Sequence, residues 1–237
     1  GQKRDLLLVD EPFDGLTDEA TYIKYASKQS RISNAYKKWI GQDLGLRKKE
    51  AVNKKLYLEN HSTYIYENSL TKHLEGSSRP HFFRGVTTIV AKLFNIVQPS
   101  HSFFGEKDAQ QSRIINQMIK DLNYNIRFVS CPTVRRENGL ALSSRNNYLS
   151  HSEQKQASVV YRGLKLIEES IKKGNVNVNQ LKKVFTSLIN KNHDIQIDYI
   201  SIACNETLEE LTIWSKNSLI SVAIFYKNVR LIDNIVV

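Results

Sequence analysis

Cysteine is scarce in this chain. Cys131 and Cys204 are the only two, too few for a disulfide framework and without metal-ligand spacing. They read as reduced core residues in a cytosol-like compartment, so a cytoplasmic protein is expected. The six histidines are scattered without a zinc pattern, and no protein-held metal is expected. No apolar run approaches the ~18 residues that a membrane-crossing helix needs. No leader pattern opens the chain either, so no membrane association is expected. The first residue is Gly1 rather than Met, which fits a processed product or a fragment. Internal repeats and low-complexity tracts are missing as well.

Charge is present in excess of one sign. The formal net charge is +10 over 237 residues. Residues 61–150 carry the largest imbalance, 11 Lys and Arg against 6 Asp and Glu. A small anionic substrate accounts for such a patch. Nucleic acid would be drawn to it too, but no basic helix interleaved with aromatics and no nucleic-acid motif is found. No nucleic-acid partner is therefore expected.

Two stretches carry the chemistry. Phe103-Phe104-Gly105-Glu106-Lys107-Asp108-Ala109-Gln110-Gln111 is an apolar run that stops at glycine and then presents acid, lysine and acid. Open α/β sheets place ligand-binding charge in this way, at the carboxyl end of a strand. Gly139-Leu140-Ala141-Leu142-Ser143-Ser144-Arg145-Asn146 sets two hydroxyls beside a guanidinium, a combination suited to phosphate oxygens. A nucleotide site built from two parts of the chain follows.

Hydrophobic spacing supplies the frame. Leu6 to Val9 reads as a buried strand ending in two acids and a turn. Residues 21–60 allow helix with a poor apolar stripe. Ser62 to Ser69 reads as a strand. Val86, Ile89, Val90, Leu93, Phe94 and Val97 recur at helical spacing over 86–98, with Pro99 as the stop. A strand at Ser102 to Phe104, a helix over 109–122 and a strand at Ile126 to Val129 imply a parallel crossover. Ser150 and Glu153 form a capping-box pattern ahead of a helix running to Gly174. Leu181 to Ile189 reads as another helix. Ile195, Ile197 and Tyr199, then Ile220, Val222 and Ile224, alternate as strands. The last third is therefore α+β with antiparallel character, and a domain boundary is expected near 133–136.

With those residues in view, the chain from about 65 to 237 resembles pantothenate synthetase, the adenylate-forming ligase of pantoate and β-alanine. The motifs, in the family's order, are Leu74-Glu75-Gly76, Phe83-Arg84-Gly85-Val86 and Val90-Ala91-Lys92-Leu93-Phe94. Phe104 to Asp108, Cys131-Pro132-Thr133-Val134-Arg135, Gly139 to Asn146 and Arg230-Leu231-Ile232-Asp233-Asn234 follow. Any one alone would be weak; together and in register they are specific. The resemblance implies an α/β fold: a Rossmann-like nucleotidyltransferase domain, incomplete at its N-terminus, over 61–133. A smaller C-terminal α+β lid domain over 134–237 follows it, and 1–60 is an atypical leading segment. It implies ATP as substrate with Mg²⁺ on its phosphates, pantoate and β-alanine as the other substrates, and a homodimer formed through the family's N-terminal domain.

Site residues carry over by the same resemblance. Lys107 matches the phosphate-contacting lysine, with a surface lysine as the bland alternative. Gly105 and Asp108 match positions that meet the ribose, although Asp108 also suits an N-cap and Gly105 a turn. Gln111 matches a pantoate-binding glutamine, or is a solvated helix residue. Ser143, Ser144 and Arg145 match the phosphate-binding strip, or a simple cap or turn. Val134 and Leu142 match positions whose backbone holds adenine, or are plain core residues.

The pattern also breaks. The family's His-x-Gly-His and Asn-Pro-x-Gln-Phe strips are absent. In Arg79-Pro80-His81-Phe82-Phe83, Phe82 occupies the place of a family histidine. Leu6 to Ala20 is instead similar to the Walker B strand and following loop of ABC-type ATPases, without any P-loop to serve. An impaired or inactive ligase with partial nucleotide binding is the alternative function. A truncated sheet would also predict poor solubility through an exposed edge.

Overall fold

The computed structural model describes residues 60–237 and, before them, only the backbone of strand β1 (Asp5–Leu7). The Walker-B-like loop, the segment at 21–60 that allows helix, and the N-terminal part of the sheet ahead of residue 60, apart from β1, lie outside the described residues. β1 itself pairs in parallel with β2 (His101–Gly105), with Leu6 opposite Ser102. β2 pairs in parallel with β3 (Arg127–Cys131), with Gly105 opposite Cys131. The three strands run in the order β1-β2-β3.

Residues 62–69 form no strand, contrary to expectation. At their centre the backbone of Ile65 is satisfied by helix side chains instead. Ile65 N donates to Thr88 Oγ1 at 3.0 Å, and Thr87 Oγ1 donates to Ile65 O at 2.6 Å. Past this segment come α1 (Leu74–Ser78) and α2 (Phe82–Val97). The periodic apolar face of α2 is buried from Phe83 to Phe94, and the helix starts four residues before the spacing predicted. It ends at Gln98, whose φ of 48° is left-handed, directly before Pro99. α3 (Ala109–Asp121) crosses from β2 to β3 and buries Ile114, Ile115, Met118 and Ile119. These residues pack with the α2 face and with Phe104, whose ring stacks on Phe128.

The second half builds its own core. The expected long helix after Ser150 is two helices, α4 (His151–Ala157) and α5 (Val159–Lys172), divided at Ser158. Ser158 Oγ bonds back to Lys155 O at 2.7 Å, a side-chain bond that competes with helical continuation. Gly174, at φ +92°, follows the end of α5 as expected. α5 and α6 (Val178–Ile189) lie on an antiparallel sheet of β4 (Ile195–Cys204), β5 (Ser218–Tyr226) and β6 (Val229–Val236). β5 is buried on both faces rather than alternating: Ile220, Val222, Ile224 and Tyr226 pack in the second core, and Leu219 packs in the first. Two residues from this half, Leu208 and Leu219, join the first core. No helix among the described residues is long and apolar enough to cross a membrane.

Gly163 lets α5 approach α6: a Cβ there would lie 2.5 Å from the Phe185 ring. Gly163→Ala is expected to destabilise by ~1–3 kcal/mol through overpacking. An unchanged thermal midpoint would refute that close approach.

The capping box of α4 is complete: Glu153 N donates to Ser150 Oγ, and Ser150 N donates to Glu153 Oε2. Hydrogen bonds from Lys227 and then Ser150 hold the Glu153 carboxyl down at about 2, below its usual 4.5. A depressed carboxyl adds stability above its unfolded value and loses it as pH falls through the folded one. Wild type should therefore lose more thermal stability than Glu153→Gln between about pH 5 and pH 2. Parallel pH profiles would contradict this.

Candidate active site

Strand β2 delivers the first part of the site. It ends at Gly105, and a 3₁₀ turn, Glu106–Asp108, leads into α3. Ser112 Oγ donates to Gly105 O at 2.9 Å and closes the turn on the helix. Lys107 is only 5% exposed, so it is no ordinary surface lysine. Its Nζ lies 3.9 Å from Asp108 Oδ2. Asp108 occupies the N-cap position of α3, yet its side chain makes no capping bond. Gln111 is buried rather than solvated. The neighbouring Gln110 serves the fold. Its Nε2 donates to Leu70 O and His73 O, both at 2.7 Å, and secures the entry to α1.

The second part is a β-hairpin. Leu142 N donates to Val134 O and Arg136 N to Leu140 O, both at 2.9 Å, around the Arg135–Ala141 bridge. Gly139 turns the hairpin at φ +88°, and a Cβ there would lie 2.3 Å from the Tyr161 ring. Val134 is 45% exposed, so it is not a core residue. After the hairpin, Ser143 Oγ accepts from Arg145 N at 3.2 Å and starts a 3₁₀ turn, Ser144–Tyr148. Asn146 is buried, with Nδ2 donating to Ala141 O at 2.9 Å. The three residues Ser143 to Arg145 are thus presented on a short, internally bonded strip.

Strand β6 joins the parts. Arg135 makes a bidentate pair with Asp233, at 2.6 and 2.8 Å, and lies 3.9 Å over the Tyr161 ring. Asn234 Nδ2 donates to Glu106 O and Lys107 O. Arg230 grips Glu75 of α1 through both nitrogens, at 2.6 and 3.0 Å, and also Asp198 at 2.6 Å. Burial alone would lower the Arg230 pKa. The hydrogen bonds to Glu75 and Asp198 outweigh it and hold the guanidinium above its ordinary value. Burial and the charge of Glu75 push the Tyr199 phenol well up, so this network keeps Arg230 charged and Tyr199 neutral.

These elements border one small cleft. Lys107, Ser143, Arg145, Asn146, Arg230 and Asp233 supply its polar wall, and Leu140, Val160 and Tyr161 part of its apolar one. Of the residues expected from sequence, Lys107, Ser143 and Arg145 therefore share one cleft. Gly105 and Asp108 flank Lys107 on its turn, Ser144 lies between Ser143 and Arg145, and Val134 and Leu142 face each other on the hairpin. Gln111 sits one helical turn beyond Lys107 and does not line the cleft. Asn146, Tyr161, Arg230 and Asp233 have no site role legible in the sequence. The only signal for three of them is membership of the two motif strips at 139–146 and 230–234. Among the described residues, no group of three or more His, Cys, Asp or Glu could hold a metal ion.

Comparison with known proteins fits this arrangement. The family model for pantoate-beta-alanine ligase matches residues 30–236, reaching further back than the residue 65 legible by eye. Pantothenate synthetase of Caldicellulosiruptor saccharolyticus is 44% identical over 209 residues, covering 85% of this chain and 74% of that one. The Pseudothermotoga lettingae enzyme is 41% identical over 208 residues, with the same coverage. The crystal structure of pantothenate synthetase from Thermus thermophilus superposes with a TM-score of 0.73 at 39% identity. That match covers 77% of this chain and 66% of that one. A Francisella tularensis pantoate-beta-alanine ligase, solved with β-γ ATP and β-alanine, shares the fold at a TM-score of 0.65 and 24% identity. The chain belongs to the pantoate-beta-alanine ligase family, the pantothenate synthetases.

Proposed function

We infer that this chain joins pantoate to β-alanine in an ATP-dependent reaction through a pantoyl adenylate. One observation carries the assignment of the site: Lys107, Ser143 and Arg145, distant in sequence, line a single cleft beyond the carboxyl end of β2. A pantoate carboxylate oxygen attacks the α-phosphorus, and pyrophosphate leaves. The amine of β-alanine then attacks the acyl carbon, AMP leaves, and the nitrogen loses a proton.

The first step is mainly a matter of aligning two anions and neutralising phosphate charge. Lys107 and Arg145 supply the positive charge, and the hydroxyls of Ser143 and Ser144 donate to phosphate oxygens. Asp108 accepts from the ribose hydroxyls beside Gly105. The Val134–Leu142 backbone receives adenine, and Gln111 meets pantoate with an amide that both donates and accepts. Mg²⁺ arrives on the ATP phosphates as part of the substrate. Residues 61–133 act as the nucleotide-binding domain and 134–237 as its lid. Two cores that follow this division, except that Leu208 and Leu219 join the first, support it. A homodimer and a cytoplasmic setting complete the reading.

The alternative reading is a chain that binds nucleotide without turning it over. Incubation with Mg·ATP, pantoate and β-alanine separates the two. The ligase reading predicts AMP release that needs both acids. ATP binding in a calorimeter without AMP release would support the second reading.

A further inference from the structure

Asn234 and its supports have no assigned part in the reaction, yet they touch the backbone of Lys107. Asn234 is 8% exposed, and its amide donates to Glu106 O at 3.0 Å and Lys107 O at 2.7 Å. Its own backbone N–H donates to Asp233 Oδ1 at 2.8 Å. Asp233 is held by the bidentate Arg135, which also donates to Gly139 O at 3.1 Å and Asn234 O at 3.3 Å. The series therefore runs from the hairpin through β6 to the turn bearing the lysine. Every side chain in it is at least half-buried, and the side-chain amide of Asn234 is committed to that one turn.

We propose that Asn234, supported by Asp233 and Arg135, is the positioning residue that fixes Lys107 relative to the Ser143–Arg145 strip. The proposal rests on the adenylate-forming reading of the cleft. A 3₁₀ turn of three residues has few bonds of its own to hold its shape. Two hydrogen bonds from a buried amide replace them, and they come from the strand that also anchors the hairpin through Arg135. Distance between lysine and strip is thereby set by one strand rather than by two independently moving loops. Displacing a charge-stabilising group by about 1 Å can cost ~10²-fold in rate.

Asn234→Ala removes both hydrogen bonds; Asn234→Asp keeps the shape but cannot donate. Each is expected to lower kcat for pantoate-dependent pyrophosphate exchange by roughly 10-fold to 100-fold, with a much smaller change in KM for ATP. In a Lys107→Ala background the same substitutions are expected to have almost no further effect on the residual rate, because they act through that lysine. Amide hydrogen exchange of segment 105–111 should speed up in both variants, while that of α5 and α6 stays unchanged. Equal losses with and without Lys107, or unchanged exchange over 105–111, would overturn the proposal. If wild type itself shows no pyrophosphate exchange, the ligase reading fails. Amide exchange then still decides whether Asn234 holds the turn.

Discussion

Lys107→Ala is expected to lower pantoate-dependent pyrophosphate exchange by ~10²–10³-fold, the usual effect of removing one charge-stabilising donor from a preorganised site. The size follows from where the ammonium sits. Lys107 is 5% exposed at the carboxyl end of β2, so water cannot readily replace it. The same cleft is lined by Ser143 and Arg145, so a polyphosphate there would meet two cations. Lys107→Arg should recover little, since a planar guanidinium fits poorly where a compact ammonium is enclosed. Steady-state exchange rates check both variants. A Lys107→Ala enzyme within about threefold of wild type would place the phosphates elsewhere.

The second large effect falls on stability. Arg230→Ala is expected to cost ~3 kcal/mol, because it takes the bidentate partner from the buried Glu75 carboxylate and leaves it only the longer contact to the more exposed Arg79 at 3.8 Å. The side chains of Arg230 and Glu75 are 15% and 9% exposed, and the pair is bidentate. For a chain of this size the thermal midpoint should fall by roughly 6–12 °C. Glu75→Gln should cost less, since Arg230 keeps Asp198 at 2.6 Å. A melt of Arg230→Ala that overlays wild type would show that the remaining partners of Glu75, Arg79 and Tyr199 among them, satisfy it without Arg230. The pair ties α1 to β6, so losing it also loosens the wall to which Arg145 Nη1 is joined through Arg230 O at 3.4 Å.

What was legible in the sequence followed period and punctuation. The α2 face repeats at helical spacing and stops at Pro99, and the strand–helix–strand order around α3 leaves a parallel crossover as the simple solution. The Ser150–Glu153 box and Gly174 marked helix ends that depend on local chemistry alone. Non-local effects were hidden. The stretch at 62–69 has a strand's composition, but the backbone of Ile65 at its centre pairs with Thr87 and Thr88 rather than with a strand. β6 reads poorly because Arg230, Asp233 and Asn234 interrupt its apolar pattern; each is in place for a partner far along the chain. Arg230 and Glu75 are separated by 155 positions, and nothing local in either strip names the other.

The site divided the same way. Lys107, Ser143 and Arg145 could be singled out because their residue types state a chemistry, and the fold brings them to one cleft. The surroundings that hold them could not, since an asparagine reveals its role only through the carbonyls it reaches. Leu6 to Ala20 had an ATPase-like sequence, yet the described part of it, β1, serves as a parallel neighbour of β2.

Pantoate-dependent exchange of labelled pyrophosphate into ATP, run with Mg²⁺ and without β-alanine, tests the central claim most directly. It isolates adenylate formation from the second step. The account predicts exchange that requires pantoate and collapses in Lys107→Ala. Absence of pantoate-dependent exchange at high enzyme concentration, or exchange indifferent to Lys107, would contradict it.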